Sequence, residues 1–262
     1  LNSQPMGFYS ASQLVQDLRR HGVEVRPVDV NWSDWDCSLE PAADSAASLR
    51  LGLRLVKGLS EEAGRRIERA RPGDGFSGTR DLVERTGLDR RELGLLATAG
   101  ALKPLEGHRH RARWAVAGVE EPTPLIGSFD AREAAPMLTA PAEGQDIVAD
   151  YRSLGLTLER HPMHLLRDRL DRYGYAPATA LPDGRNGQPV SVAGLVITKQ
   201  RPGTASGVTF VTLEDEGGHV NLIVWKQVAE TFRPALLNAK LLGVTGELQI
   251  EGKVIHVIAK RL

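Results

Sequence analysis

The residues around Gly58 have the types and spacing that bind phosphate. Gly58 marks a tight turn between two short helical segments within residues 55–67, and apolar residues stand on both sides of it. Free N–H groups at a helix N-terminus bind phosphate, and phosphate contacts hold a nucleic-acid backbone without reading its sequence. A basic stripe follows on the second helix. The pattern predicts a DNA-binding hairpin with these contact residues: Lys57, Gly58, Leu59, Ser60, Arg65, Arg66 and Arg69.

The same residues also fit a purely structural corner between two helices, with glycine at the turn. Ser60 stands where many phosphate-binding hairpins carry glycine, and its hydroxyl suits a helix cap. Glu61 and Glu62 favour the helix dipole but repel phosphate. The arginines must then supply the attraction, or they form a solvated basic face. The sequence leaves both interpretations open.

A second glycine turn, at Gly87, follows the first after 29 residues. A helical pattern over residues 78–86 precedes it. Asp89 can cap a third helix over residues 90–99, which Gly100 closes. The repetition predicts a tandem helix-hairpin-helix unit and adds Gly87 to the DNA contacts.

A basic run at residues 108–114 contains two histidines without cysteine or acidic neighbours, which is a poor metal site. It predicts a basic helix end near the DNA backbone, with Arg109 and Arg111 as contacts. A plain exposed helix is the alternative.

Asp34 and Asp36 flank Trp35 and could bind Mg²⁺ as paired carboxylates. They lie within residues 31–48, a polar stretch that we interpret as an irregular linker, so we favour a solvated loop. We expect no metal ligand and no catalytic residue in the chain.

The hydrophobic period changes to two from residue 188 onward, which indicates β-strands. Five strands are predicted, with one helix over residues 226–237 between the third and the fourth. This order is typical of the OB-fold, a small barrel that binds oligonucleotides. Candidate DNA contacts, through phosphate for the basic residues and base stacking for the aromatic ones, are Lys199, Arg201, Phe210 and Trp225. The alternative for the two aromatic residues is the barrel core.

Charge is distributed unevenly although the formal net charge of the 262 residues is zero. Residues 53–115 carry a net charge of +5 and residues 188–262 carry +2, with acidic segments before each of them. Because salt screens charges beyond about 8–10 Å, local basic segments can bind phosphate in a neutral protein. No apolar run is long enough to span a bilayer, and the single cysteine fits a reducing compartment. We therefore expect a cytoplasmic protein without a membrane partner.

Several segments, taken in order, resemble the C-terminal portion of bacterial C-family DNA polymerases, the family of the polymerase III alpha subunit. Residues 22–31 look most like the error-prone, damage-inducible branch of that family. The segments that carry the resemblance are residues 4–9, 57–59, 154–156, 161–162 and 190–225.

The resemblance implies a multidomain α plus β protein. Residues 1–52 would be the end of a helical fingers domain with a connecting segment, and residues 53–118 the tandem helix-hairpin-helix domain. Residues 119–187 would be a linker and helical connector, and residues 188–262 a five-stranded OB-fold barrel. The start at Leu1 suggests a piece of a longer protein.

The resemblance also implies the chemistry of that longer protein. Its polymerase reaction would use two Mg²⁺ ions in an upstream palm domain, so this piece should hold no cofactor and should not polymerise alone. Its predicted function is to hold primer-template duplex and single-stranded template during translesion synthesis.

Two alternatives belong to other classes. One is an interaction module that docks accessory proteins of the translesion assembly. The other is an independent repair enzyme built on the same modules, but the chain lacks a nucleotide-binding loop and a catalytic lysine motif.

A sliding clamp is a further possible partner, because replicative relatives carry a short clamp-binding peptide between hairpin domain and barrel. Residues 124–129 have no initial glutamine, and residues 145–148 lack the aromatic anchor. Since losing one anchor can cost about 2 kcal/mol, we predict weak or no direct clamp binding, with recruitment through accessory proteins.

Overall fold

The computed structural model describes residues 1–4, 10–42, 47–119, 137–203, 207–252 and 254–262. The chain divides into two compact units, Leu1–Glu159 and Arg160–Leu262. The four domains expected from the sequence are a finer division, and their boundaries stay predictions. None of the helices in the described ranges has the length and apolar character needed to cross a membrane.

The first unit is mainly helical and contains a small three-stranded sheet. The sheet has the order β1-β3-β2, with β1 parallel and β2 antiparallel to β3. A single 3₁₀ turn, Leu53–Leu55, precedes the Gly58 turn where a helix was expected. The elements are α1 (Ala11–Arg20), β1 (Val25–Arg26), β2 (Ser38–Glu40), β3 (Ser48–Arg50), α2 (Glu61–Ala70), α3 (Thr79–Thr86), α4 (Arg90–Ala99), α5 (Lys103–Glu106), α6 (Arg109–Ala117) and α7 (Glu143–Ser153).

Helix boundaries follow from capping residues. The side chains of Ser10 and Asp89 each accept a backbone N–H three residues later, and the side chain of that later residue bonds back to the cap. Gly87 and Gly100 end α3 and α4 in the left-handed conformation that glycine adopts without strain. The predicted second hairpin, with helices before and after Gly87, is confirmed.

The expectation of an irregular linker over residues 31–48 is wrong for residues 31–42 and 47–48, the part of it that the structure describes, because Trp35 and its neighbours pack into the first unit. Trp35 lies against Gly64 of α2 and joins the hydrophobic core. Asp34 pairs with Arg71, and Asp36 pairs with Arg54. Each of the two carboxylates thus forms an ion pair with a different arginine. The two ion pairs hold Trp35, which lies between the aspartates in sequence, in its position.

The core of the first unit lies between the sheet and the helices. Its largest fully buried side chains are Leu51, Leu53, Ile67, Leu82, Leu93, Leu96, Leu102 and Leu156. Four of them, Ile67, Leu82, Leu93 and Leu96, lie on the buried faces of α2, α3 and α4, as amphipathic patterning requires, and the others lie beside the strands and helix ends.

The second unit is a closed five-stranded barrel preceded by short helical turns. The strand order is β4-β5-β6-β8-β7, and only β6 and β8 pair in parallel within the described barrel. Alternate residues such as Val211, Leu213 and Leu222 fill its interior. The elements are α8 (Arg167–Arg172), β4 (Pro189–Gln200), β5 (Thr209–Glu214), β6 (His219–Val224), α9 (Lys226–Thr231), α10 (Arg233–Asn238), β7 (Leu241–Glu251) and β8 (Val254–Arg261).

The predicted fold class is confirmed: a helical hairpin-containing region precedes a closed five-stranded barrel, with helical turns between the third and fourth barrel strands. The single helix expected over residues 226–237 is divided at Phe232. Pro234 starts the second half near its N-terminus, where a missing N–H costs no hydrogen bond. Within the predicted helical connector, α7 spans Glu143–Ser153.

Close packing at Gly64 gives a stability prediction. A Cβ at this position would overlap the ring of Trp35, so Gly64→Ala should reduce the free energy of unfolding by about 1–3 kcal/mol. Gly94→Ala on α4 is the matched control. A Cβ there meets nothing within 4 Å, and the substitution should raise stability by up to about 1 kcal/mol. Urea unfolding of both variants measures the difference, and equal effects would contradict this packing.

Candidate nucleic-acid interface

The tip of the first hairpin presents unpaired backbone N–H groups. Gly58 has a φ of 85°, and the hydroxyl of Ser60 accepts the Ala63 N–H at 3.2 Å, which begins α2. In the described part of the chain, the amides of Gly58, Ser60 and Glu61 have no acceptor. Leu59 is buried and anchors the turn from below. The tip therefore has free donors, as phosphate binding requires.

The second hairpin repeats this arrangement with a different charge. Gly87 has a φ of 61° and Asp89 caps α4, so Gly87-Leu88-Asp89 corresponds to Gly58-Leu59-Ser60. The next two residues are Arg90 and Arg91, at the positions of Glu61 and Glu62. The amides of Arg90 and Arg91 also lack acceptors among the described residues. The second tip thus combines free donors with positive side chains.

Two arginines connect the hairpin tips in both directions. Arg66 on α2 donates from Nη1 to the carbonyl oxygens of Gly87 (2.9 Å) and Thr86 (3.3 Å), and from Nη2 to the Glu92 carboxylate (2.8 Å). Arg91 on α4 donates to the carbonyl oxygen of Gly58 at 3.3 Å. These contacts hold the N-termini of α2 and α4 beside each other. We name this set of contacts the cross-brace.

The basic residues predicted on the first hairpin have different surroundings. Arg65 pairs with Glu68 (3.0 Å) and Glu61 (3.4 Å), and the hydrogen bond to Glu68 is the main reason why the pKa of Arg65 is raised. Arg69 is exposed, and within the described ranges its guanidinium donates only from Nε, to the Arg65 carbonyl oxygen. Lys57 is exposed and donates to the Tyr151 carbonyl oxygen at 3.0 Å. Arg69 therefore has the most available guanidinium on α2.

Arg109 and Arg111 lie on opposite sides of α6. The Arg109 side chain is only 6% exposed and pairs with Asp146 and Asp150 of α7. A buried guanidinium with two carboxylate partners is unable to reach a DNA phosphate, which argues for the structural alternative at this residue. Arg111 is exposed and has no side-chain partner in the described ranges, so it is free to meet solvent or a ligand.

Phe210 and Trp225 lie on the barrel surface rather than in the core, with 39% and 55% of each residue exposed. Phe210 on β5 faces outward opposite Ile223 of β6, and Trp225 follows Ile223 by two residues. The face of the second and third strands is the usual oligonucleotide site of OB-folds. The geometry therefore brings the two predicted stacking residues to the expected face.

The two basic candidates of the barrel differ in availability. Lys199 donates to the carbonyl oxygens of Leu237 (3.1 Å) and Ala239 (3.2 Å) at the end of α10. This contact resembles a helix C-cap and favours a structural role. Arg201 is exposed and makes no hydrogen bond within the described part of the second unit.

An ion-pair cluster fastens the short helices of the second unit to the barrel. Arg167 of α8 contacts Asp215 (3.4 Å) and Glu216 after β5. Burial raises the pKa of Glu216, but the hydrogen bond and charge of Arg167 outweigh burial and hold the pKa below its ordinary value. Both Gly217 and Gly218 donate their N–H to Asp215 Oδ1. These acids therefore shape a turn, and each has a structural partner.

Arg90 and Arg91 were missed by the sequence analysis. The signal for them was present, because aligning the two glycine turns places these arginines at the first two positions of a helix whose counterpart begins with two glutamates. A comparison of the two hairpins residue by residue would have found them.

Comparison with known proteins agrees with both modules. Residues 22–112 match the helix-hairpin-helix motif family, and residues 190–262 match the family described as OB-fold nucleic acid binding domain. The error-prone DNA polymerase of Methylococcus capsulatus is 54% identical over all of this chain and 27% of its own length. That of Alkalilimnicola ehrlichii is 53% identical over all of this chain and 26% of its length.

The chain thus spans about a quarter of the curated relatives that it matches. Among solved structures, an asparaginyl-tRNA synthetase from Pyrococcus horikoshii is 26% identical over 29% of this chain and 19% of that chain, with a TM-score of 0.26. The resemblance to error-prone DNA polymerases expected from the sequence is confirmed over the whole chain. The two matched modules support binding of nucleic acid.

The contrast between Arg109 and Arg111 gives a prediction. Arg109→Ala leaves two carboxylates of α7 without their buried partner and should cost about 3–5 kcal/mol of stability. Arg111→Ala removes an exposed side chain and should change stability by less than about 0.5 kcal/mol. Denaturant unfolding measures both. A stable Arg109→Ala protein with reduced DNA affinity would show that Arg109 contacts DNA after all.

Proposed function

We propose that this chain is the DNA-holding region of an error-prone DNA polymerase that acts in translesion synthesis. The tandem hairpins would bind the sugar-phosphate backbone of primer-template duplex, and the barrel would bind single-stranded template. Both modes are independent of sequence, which a polymerase needs because it must move along any template. The proposal locates the protein in the cytoplasm, where bacterial DNA lies.

The cross-brace is the observation that carries this proposal. A single helix N-terminus offers few donors, whereas two N-termini fixed side by side can bind phosphates together. Arg66 and Arg91 fix them through contacts to the opposite turn. The free amides then need little reordering on binding, which lowers the entropic cost of association. Arg69, Arg90 and Arg111 are the exposed side chains that would add attraction to phosphate.

The barrel supports the single-stranded part of the proposal. Phe210 and Trp225 are exposed on one side, and Arg201 is exposed at the end of β4. Exposed aromatic rings stack on bases without sequence preference, and basic residues follow the backbone.

The activity of the whole polymerase belongs to this proposal as well. The resemblance assigns nucleotide transfer with two Mg²⁺ ions to a palm domain, where the metals would stabilise the attacking and leaving oxygens. In our proposal the chain contributes DNA binding to that reaction and no catalytic residue.

Recruitment through accessory proteins of the translesion assembly remains our proposal for partners. Residues 124–129 lie outside the described residues. The second candidate for a clamp peptide, residues 145–148, lies inside α7, and its Ile147 is 2% exposed. An apolar anchor already used in the core is poorly suited to fill a pocket on a clamp, which supports weak or absent direct binding.

The main alternative, a module that docks accessory proteins, draws support from apolar residues exposed on α10 and at the start of β7. Leu237 is 61% exposed and Leu241 is 46% exposed. Salt dependence separates the alternatives, because release of counterions from DNA gives a steep loss of affinity with salt only when phosphates are bound.

A proline substitution tests the backbone donors directly. Glu61 is the first residue of α2, where proline is tolerated because the N–H that it removes has no acceptor within the helix. Glu61→Pro and Glu61→Ala remove the same negative charge, but only proline also removes the amide, so Glu61→Pro should bind blunt duplex more weakly than Glu61→Ala. Fluorescence anisotropy over a salt series measures both. Equal affinities for the two variants would contradict phosphate binding at this tip.

A further inference from the structure

A groove of about 770 Å³ lies in the first unit between α6 and the residues that lead into α7. Residues at helical spacing on α6 form one wall: His110, Arg113, Trp114 and Ala117. Leu138, Thr139, Ala140, Ala142 and Gln145 form the other wall. None of the residues that line the groove is among the proposed hairpin contacts.

The walls of the groove are held in place by hydrogen bonds. His110 donates from Nδ1 to the Thr139 carbonyl oxygen at 2.8 Å. The side chain of Gln145 accepts the Ala142 N–H at 3.0 Å. Behind the groove, Arg109 binds α7 to α6 through Asp146 and Asp150. The groove is therefore formed by fixed backbone and fixed helices.

The chemistry of the lining suits an anionic aromatic ligand. Trp114 is 51% exposed, an unusual exposure for the largest aromatic side chain. Arg113 is exposed and has no hydrogen-bond partner in the described part of the first unit. Among the residues that the structure describes, no acidic side chain lines the groove, and the nearby Asp146 is already paired with Arg109 and Lys103.

The groove lies next to the second hairpin tip. Arg90 is the first residue of α4, directly after Gly87-Leu88-Asp89. It donates to the carbonyl oxygen of Ala117, a groove residue, at 3.2 Å. A strand whose phosphate lies at the tip could therefore continue into the groove.

We propose that this groove binds an unpaired nucleotide of a DNA strand held by the second hairpin. Trp114 stacks on the base, and Arg113 binds a neighbouring phosphate. Stacking on an indole and a positive rim are the usual elements of sequence-independent binding of single strands. An apolar peptide would use the same indole, but the positive charge and the adjacent hairpin favour nucleic acid. The inference rests on the proposed DNA-binding function and adds a base-binding site to it.

The test compares two DNA probes on the full chain: a blunt duplex, and the same duplex with a short single-stranded overhang. Trp114→Ala should lower affinity for the overhang probe about tenfold, the range expected for one stacked base, and leave blunt-duplex affinity unchanged. Trp114→Phe should keep most of the affinity. Trp32→Ala is the matched control, because Trp32 is 65% exposed and lies outside the groove; it should change neither affinity.

Crosslinking locates the contact independently of affinity. An overhang that carries 5-iodouracil should crosslink to Trp114 under ultraviolet light. Unchanged overhang affinity in Trp114→Ala, with crosslinks only within residues 190–262, would overturn the groove site and leave the hairpin function intact. Failure of the unaltered chain to bind blunt duplex would instead contradict the proposed function. In that case a crosslink at Trp114 would support the groove site, and its absence would overturn the groove site.

Discussion

The cross-brace is the interaction on which the arrangement of the first unit depends. One guanidinium, that of Arg66, bonds to a carboxylate on α4 and to two carbonyl oxygens at the end of α3. The planar fork of arginine suits such multiple acceptors, whereas a lysine would supply a single point of contact. Its positive charge also interacts favourably with the negative, C-terminal end of the α3 helix dipole. Without the Arg66 side chain, the two hairpin turns would no longer be held in a fixed position relative to each other.

In the first unit, several arginines stabilise the fold through ion pairs, and only a few remain available to bind a ligand. Arg65, Arg66 and Arg109 pair with carboxylates of the same unit. This explains how a neutral chain can contain a strongly basic segment without a large positive field. The residual attraction for DNA comes from free amides and a few exposed arginines. We therefore expect the slope of affinity against salt concentration to be set by the number of these phosphate contacts.

Local rules predicted much of this structure, and tertiary pairing accounts for what they missed. Helix caps such as Asp89 and turns such as Gly87 can be predicted from a few neighbouring residues. The hydrophobic period of two predicted the strands of the barrel. The burial of Arg109 depends on Asp150, which lies 41 residues away. The packing of Trp35 depends on the missing side chain of Gly64. Neither relation has a local signal, so the polar segment was interpreted as a solvated loop and Arg109 as a DNA contact.

The most direct test of a cross-braced pair of phosphate-binding tips is amide NMR of the chain titrated with blunt duplexes of two unrelated sequences. The account predicts that the amides of Gly58, Ser60, Glu61 and Arg90 shift together, and equally for both duplexes, because phosphate contacts carry no base information. Shifts confined to residues 190–262, or shifts at the tips that differ between the two sequences, would contradict it.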